Sequence, residues 1–303
     1  MPAAASFPLE AYTIKYELAW DIAFQQQNSD LRNSVTNVDA SGERVHGNIL
    51  DAVEMVDITT RAGDTVVSDM GEDSWNFFPN PVANAIRLDQ YDEAYLGVIT
   101  QPNSEIASSQ AYAVNRFLDE IIVAAATGIA QRGKNGTDAV SLPAAQIIAA
   151  NYNGDGVSPQ NTGLTWMKIS QAQYLLSTAE VPTDGRTLVT NASGLKSLIQ
   201  DIITNHSAEV SSIKELGRGL LQNGLMDFTF IQTERIAVSA GDVASNLAYH
   251  KSAIKFGMWG DRATFMDRLP TKNQALQIYT RANAGATRAK DTGVVEILCD
   301  QSP

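Results

Sequence analysis

Residues 103–132 read NSEIASSQAYAVNRFLDEIIVAAATGIAQR, and the remainder of the chain is best understood from this stretch outward. Apolar residues recur at steps of three and four, the period of an amphipathic helix, and no glycine or proline interrupts the run before Gly128. The apolar positions are Ile106, Val114, Phe117, Leu118, Ile121, Ile122, Ala125 and Ile129.

Polar residues mark both ends of this run. Asn103 or Ser104 can cap the first turn, and Gly133 and Gly136 close the segment. We therefore predict one helix over residues 103–132, roughly 40 Å long. A sheet should lie along its apolar stripe. Many globular proteins contain such a long core helix, so this stretch alone does not indicate a function.

Composition excludes several classes of protein. The 303 residues are 44% hydrophobic, enough for one large core or for two or three smaller ones. The net charge is −12, and no window carries the Lys/Arg cluster that neutralises phosphates, which argues against tight nucleic-acid binding. The single cysteine, Cys299, excludes an internal disulfide and is expected to be a small core residue.

The N-terminal region should pack against something else. Residues 1–9 lack the pattern of a signal peptide, and no segment has the roughly twenty apolar residues that span a bilayer, so we expect a cytoplasmic protein or one exported within a larger assembly. Residues 10–27 fit an amphipathic helix or an extended arm, and nothing in residues 1–43 closes a core.

Residues 44–98 have the texture of a long antiparallel ribbon. Residues 53–58 and 82–88 alternate like strands, with turn-rich pieces between them. A two-stranded ribbon is marginally stable in water, so its support should come from another subunit. The aromatic residues Trp75, Phe77 and Phe78 are either anchors on a partner surface or a small local cluster under the ribbon.

The chain after the long helix reads as an α/β lobe followed by return strands. A helix is expected over 143–151, and the Asn/Gly/Asp/Pro-rich residues 152–163 mark a boundary. We predict helices over 166–178 and 195–205 and strands over 187–190, 228–232, 247–250, 254–256, 275–281 and 293–298. The last strands, together with residues 95–99, should form the sheet that covers the long helix.

No arrangement of residues indicates catalysis. His46, His206 and His250 are scattered, and no nucleophile elbow or phosphate-binding loop occurs. Asp119 and Glu120 are adjacent on a predicted helix and diverge by about a hundred degrees. Because Arg116 lies three residues before Asp119, we expect a surface or inter-subunit ion pair rather than an acid/base pair.

Two further short motifs carry no site. Residues 153–156 lack the final glutamate of a calcium loop and are expected to be a flexible loop. The segment from Arg61 to Asp64 resembles an integrin-type tripeptide only if Ala62 is ignored. We expect neither a metal ion nor a cofactor.

Weak matches spread over almost the whole chain resemble one family. They are Phe24-Gln25-Gln26 with Leu31-Arg32, Arg61 with Asp64-Thr65, Trp75, Leu88-Asp89 with Asp92, Pro102-Asn103-Ser104, Arg116 with Asp119 and Ile122, Leu142-Pro143 with Ile147-Ile148, Val181-Pro182 with Arg186, and Gly285 with Arg288 and Gly293-Val294. In number, order and spacing they resemble the major capsid proteins of tailed bacteriophages with the HK97-like fold. One departure is that Asp73 and Ser74 precede Trp75, where basic residues are frequent in the family.

The resemblance implies an α+β capsid fold with four parts. These are an N-terminal arm (1–43), an extended β-hairpin loop (44–95), a peripheral domain with the spine helix (96–154 and 246–303) and an inserted axial domain (155–245). Residues expected at contacts between subunits are Arg61, Asp64, Trp75, Phe77, Phe78, Arg116 and Asp119.

The same resemblance implies a structural function. The protein would form hexamers and pentamers of a virion head assembled in the host cytoplasm. Scaffolding, portal and decoration proteins would be partners, and packaged double-stranded DNA would be held only by weak contacts. Two alternatives are an encapsulin-like nanocompartment shell and, from another class, an α/β enzyme.

Overall fold

A computed structural model describes residues 25–57, 60–61, 67, 70–88, 103–154, 160–205, 226–239, 241–272 and 274–301. These residues form three α-helices: α1 (Asn103–Thr127), α2 (Trp166–Thr178) and α3 (Ala192–Asn205). Their strands are β1 (Thr36–Asn37), β2 (Val45–Leu50), β3 (Glu72–Phe77), β4 (Asn80–Leu88), β5 (Ala130–Arg132), β6 (Asp138–Val140), β7 (Ile147–Ile148), β8 (Arg186–Thr190), β9 (Phe228–Gln232), β10 (Val243–His250), β11 (Ile254–Met258), β12 (Ala263–Leu269), β13 (Ala275–Arg288) and β14 (Val294–Asp300). The α+β class predicted from the sequence is confirmed.

The strands form three sheets. In the first, β1, β11, β13 and β12 lie in that order, and β4 pairs with β13 as well. The second has the order β7, β14, β10, β8, β9. The third is a four-stranded sheet, β2, β3, β5, β6, in which the hairpin β2–β3 joins the segment that directly follows α1. Within the described residues no helix is long and apolar enough to cross a membrane.

The long helix ends earlier than predicted. It stops at Thr127 rather than at Arg132, because the chain turns at Gly128 and then pairs as β5 with β3 and β6. The guanidinium of the fully buried Arg288 donates to the carbonyl oxygens of Ala126 (3.0 Å) and Gly128 (2.7 Å). These are carbonyl groups of the kind that a helix end leaves without intrahelical partners, and a cation is favourable there.

The expected sheet does cover α1. Val114, Leu118 and Ile122 of the helix lie in one buried cluster with residues of both large sheets. Gln110 adds a polar anchor, since its amide donates to Asn84 Oδ1 (3.2 Å) and to the Ile278 carbonyl (3.1 Å). Each fully buried leucine or isoleucine contributes about 1.5–3 kcal/mol, so this stripe is a main source of stability.

The return strands are divided between the two large sheets, which differs from the prediction. Strands β11, β12 and β13 lie in the first sheet, whereas β10 and β14 pair with each other and with β8 in the second. Strand β10 lies between two buried clusters: Leu247 and Tyr249 face the cluster of α1, while Ala248 faces the cluster of α2 and α3. The strand predicted at residues 95–99 lies outside the described residues.

Predicted element positions elsewhere were right in part. The helix 166–178 and the strand 228–232 have the predicted bounds, and the remaining predicted strands from residue 187 onward are found with longer or slightly shifted bounds. Residues 53–57 form no strand, and β4 pairs with β13 over nine residues instead. Residues 144–146 form only a 3₁₀ turn, which Pro143 enters in an extended conformation, and the chain then continues as β7.

The four-part division of the chain stays a prediction. So does the interpretation of residues 10–27, since residues 10–24 fall outside the described part.

Candidate assembly surfaces

The described part of the N-terminal arm lies along α1 and is fixed by one carboxylate. Asp119 is fully buried and accepts from the Gln26 side chain (2.5 Å), from Ser29 Oγ (2.5 Å) and from the backbone amides of Asp30 (3.1 Å) and Leu31 (3.2 Å). A carboxylate that accepts several hydrogen bonds is held strongly in place. Asp119 therefore ties the arm to the helix.

More bonds extend this contact toward the start of the helix. Arg116 donates to Gln25 Oε1 (2.6 Å), and the Asn115 side chain donates to the Gln27 carbonyl (2.7 Å). Burial, and then the charge of Asp119, raise the pKa of the Asp30 carboxyl. Gln25 Nε2 also donates to Ser109 Oγ (3.4 Å), so the arm follows one polar edge of α1 from Ser109 to Asp119, about three turns.

The predicted ion pair between Arg116 and Asp119 does not form. Each of the two side chains binds the arm instead. Donors of residues 26–31 occupy both oxygens of the Asp119 carboxylate, and the Arg116 guanidinium binds Gln25. The charged pair on this helix is Glu120 with Arg235, at 3.4 Å and largely exposed. The role of Arg116 and Asp119 between subunits stays a prediction, and within the chain they anchor the arm.

Two of the three ribbon aromatics form a local cluster, the second of the alternatives above. Phe77 is stacked on Trp75 (5.8 Å between ring centroids) and meets Trp259 edge-on (5.5 Å). Trp75 and Phe77 are buried within the chain. Gly47 on β2 is needed opposite, because a Cβ there would lie 2.2 Å from the Trp75 ring. The cluster fixes the root of the extended loop to the body of the subunit.

Beyond this root, the described part of the extended loop is not covered by any other described part of the chain. The hairpin closes where the Asp51 amide donates to the Gly71 carbonyl (3.0 Å). Large apolar side chains are exposed from there on, with Met55 at 98% and Val67 at 87% of full exposure. The others are Leu50, Val53, Val56 and Met70. The segment from Asp51 to Asp73, both included, has seven acidic residues and one arginine, so the loop combines exposed apolar groups with negative charge.

The remaining predicted contact residues are scattered. Phe78 is 45% exposed beside the buried pair, and Arg61 is exposed on the loop. Asp64 lies outside the described residues. The six described candidates therefore lie at three separate places: the contact between the arm and α1, the root of the loop, and the loop itself.

The buried ionisable groups each have a structural role. The Lys168 ammonium donates to the carbonyls of Ala150, Thr162, Gly163 and Leu298 at 2.8–3.0 Å, and burial lowers the pKa of this amine. This side chain joins the boundary segment to β14. The sequence pattern gave no sign of it, because a lysine in an amphipathic helix is normally assigned to the solvent face.

Two other buried groups hold their protons more tightly than the exposed groups would. Burial raises the pKa of the Cys299 thiol to about 11 and that of the Tyr249 hydroxyl further still. Cys299 is a core residue, as predicted. The described residues contain no group of three or more potential metal ligands. His46 bonds Asn76 (3.0 Å) and His250 bonds Ser252 (2.8 Å), while His206 lies outside the described residues.

Comparison with known proteins agrees with these observations. A family model described as phage capsid protein matches residues 9–301. No curated protein matches the chain significantly. Among solved structures, the capsid of Ralstonia phage GP4 aligns with a TM-score of 0.71 at 10% identity, covering 100% of this chain and 99% of that one.

Two other solved structures are similar to the same degree. The acid-stable capsid of Helicobacter pylori bacteriophage KHP30 has a TM-score of 0.71 at 10% identity, with both chains fully covered. A structure of Mycobacterium phage Che8 has a TM-score of 0.68 at 16% identity and covers 96% of this chain and 98% of that one. At such identities the likeness shows a common fold, which is that of HK97-like capsid proteins.

Proposed function

The chain belongs to the phage capsid protein family, and on this premise we propose that its copies form hexamers and pentamers that close into an icosahedral or prolate head around double-stranded DNA. It is a major capsid protein, and its role in the virion is structural. The resemblance of the sequence to phage major capsid proteins agrees with the family that the chain belongs to.

The exposed extended loop is the observation that carries the proposed assembly. Six large apolar side chains project from it without a covering element among the described residues. Exposed apolar surface of this extent is typical of a protein–protein contact. A neighbouring subunit that covers the loop would bury these side chains, and many such contacts of modest strength would add up in a closed shell.

Other components are proposed from the family membership alone. A scaffolding protein, a portal and a decoration protein would take part in head assembly in the host cytoplasm. The net charge of −12 supports only weak contact with packaged DNA, because a strongly basic wall would hold the phosphates. Weak contact would let the DNA slide into the head during packaging and leave it during ejection.

Shortening the extended loop tests the proposal. The chain can be cut after Asp51 and rejoined at Gly71 through Asn-Gly, the preferred two-residue hairpin turn, because these two residues already face each other across the closed hairpin. We expect the free energy of unfolding of the subunit to change by less than about 1 kcal/mol, since the removed apolar groups are exposed. Electron micrographs of the shortened chain should show neither closed shells nor rings of hexamers and pentamers.

A matched pair of point variants separates apolar contact from loop length. Met55→Ser with Val56→Ser should weaken shell formation, whereas Glu54→Gln with Asp57→Asn, at neighbouring exposed positions, should preserve it. Normal shells from the shortened chain would contradict the role given to the loop.

A further inference from the structure

Four side chains of alternating charge connect the root of the extended loop to the end of the long helix, in the order Asp73, Arg132, Asp291 and Arg288. At the inner end, Arg288 has no exposed surface, and besides its two bonds to the end of α1 it donates to the Val140 carbonyl (3.1 Å). Its Nε donates to Asp291 Oδ1 (2.6 Å). The buried guanidinium is thus fixed by the helix end, by β6 and by one carboxylate.

The outer end of the series reaches the hairpin. The second oxygen of Asp291 forms an ion pair with Arg132 Nη2 (3.0 Å), and Arg132 Nη1 binds Asp73 on β3. Arg132 is the last residue of β5 and pairs with Trp75 in the sheet. Side-chain exposure is 0% at Arg288, 20% at Asp291, 11% at Arg132 and 44% at Asp73, so the inner end is buried and the outermost carboxylate is partly exposed.

Geometry makes the two middle side chains interdependent. Arg132 contacts one carboxylate with each of its two Nη nitrogens, and Asp291 contacts one guanidinium with each of its two oxygens. Because both groups are planar and rigid, the loss of either partner leaves the other side chain free to rotate. Burial strengthens the inner contacts, whereas solvent and salt weaken the outer one. The inner end is therefore a firm anchor, and the outer end is a contact that can be released.

We propose that these four side chains act as one unit that couples the angle of the hairpin β2–β3 to the C-terminal end of α1. With the unit closed, the extended loop is held at one angle to the helix. Release of Asp73 frees the hairpin and leaves the helix end intact, whereas loss of Asp291 loosens both. The inference concerns a single chain and goes beyond the assembly proposed above.

Hydrogen exchange on the purified full-length chain tests this coupling. Asp73→Asn should speed exchange in β2 and β3 by about twofold to fivefold, the range for a partly exposed ion pair, with the amides of residues 122–128 unchanged. Asp291→Asn should speed exchange in both regions. In the Asp291→Asn background, Asp73→Asn should add little, because Arg132 has already lost its second anchor.

Controls keep the outcome decisive. The Glu72 side chain lies next to Asp73 and accepts from Asn48 across the hairpin (2.5 Å), and among the described residues it forms no ion pair with Arg132. Glu72→Gln should therefore leave the difference in exchange between the hairpin and the helix end unchanged. If Asp291→Asn does not fold, Arg132→Lys keeps the charge without the fork, and Asp73→Asn should then add little in that background. About 1 M salt should bring wild-type exchange in the hairpin close to that of Asp73→Asn. Equal effects of Asp73→Asn in all backgrounds would overturn the proposal.

Discussion

Removal of the Asp119 carboxylate should release the N-terminal arm from α1. Asp119→Ala takes the acceptor away from two side chains and from the backbone amides of Asp30 and Leu31. Each buried donor left without a partner costs about 1–3 kcal/mol, so we expect a loss of about 3–5 kcal/mol in local stability. Asp119→Asn keeps the shape but turns an amide toward donors, and should cost about half as much.

Hydrogen exchange measures this effect at the arm itself. Because 1.4 kcal/mol corresponds to a factor of ten, amides of residues 29–35 should exchange roughly 10²-fold to 10³·⁵-fold faster in Asp119→Ala. Glu120→Gln is the control, since the next carboxylate along the helix makes only an exposed ion pair with Arg235 and should change stability by less than about 1 kcal/mol. Similar exchange in the two variants would refute the assignment of Asp119 as the anchor.

Two further predictions concern residues whose environments differ sharply. Phe77→Ser should lower the stability of the isolated subunit by about 3–5 kcal/mol because Phe77 is buried against two tryptophans, whereas Phe78→Ser should leave thermal unfolding nearly unchanged and affect assembly alone. Equal losses of thermal stability would exclude the local cluster. The Cys299 thiol has a folded-state pKa of about 11 against an ordinary 9.0, so the unfolded chain loses this proton first as pH rises. Stability should therefore fall between about pH 9 and 11 relative to Cys299→Ala, and a parallel pH dependence of the two proteins in denaturant titrations would disagree with this.

The elements with strong periodicity could be predicted from sequence, and their partners could not. The apolar stripe from Ile106 to Ala125 predicted α1, yet the helix ends at Thr127, where the chain turns into β5 and Arg288, more than 150 residues later, binds the carbonyls of Ala126 and Gly128. Periodicity describes one face of one element. It contains no information about a distant side chain that completes an end.

Charged residues were the least predictable part of the candidate surfaces. Spacing of three along the helix suggested that Arg116 pairs with Asp119, but the arm supplies better donors for the carboxylate. Lys168 similarly has the spacing of a surface residue and is buried among four carbonyls. Such positions depend on which loop passes by, and this is decided by the tertiary fold.

Alternation along a strand was informative about faces but not about pairing. The pattern of residues 82–88 correctly predicted part of β4, and its partner proved to be β13 rather than a neighbouring ribbon strand. The aromatic residues of the loop could not be assigned from sequence, because burial under the hairpin depends on Trp259 at the far end of the chain.

Electron microscopy of the full-length chain, purified alone and after co-expression with genes that neighbour its own, tests the central claim most directly. The account predicts closed polyhedral shells, or hexameric and pentameric rings, in at least one of the two preparations. Discrete small particles in both, from a chain with a cooperative unfolding transition, would contradict the assignment of this protein as the wall of a phage head.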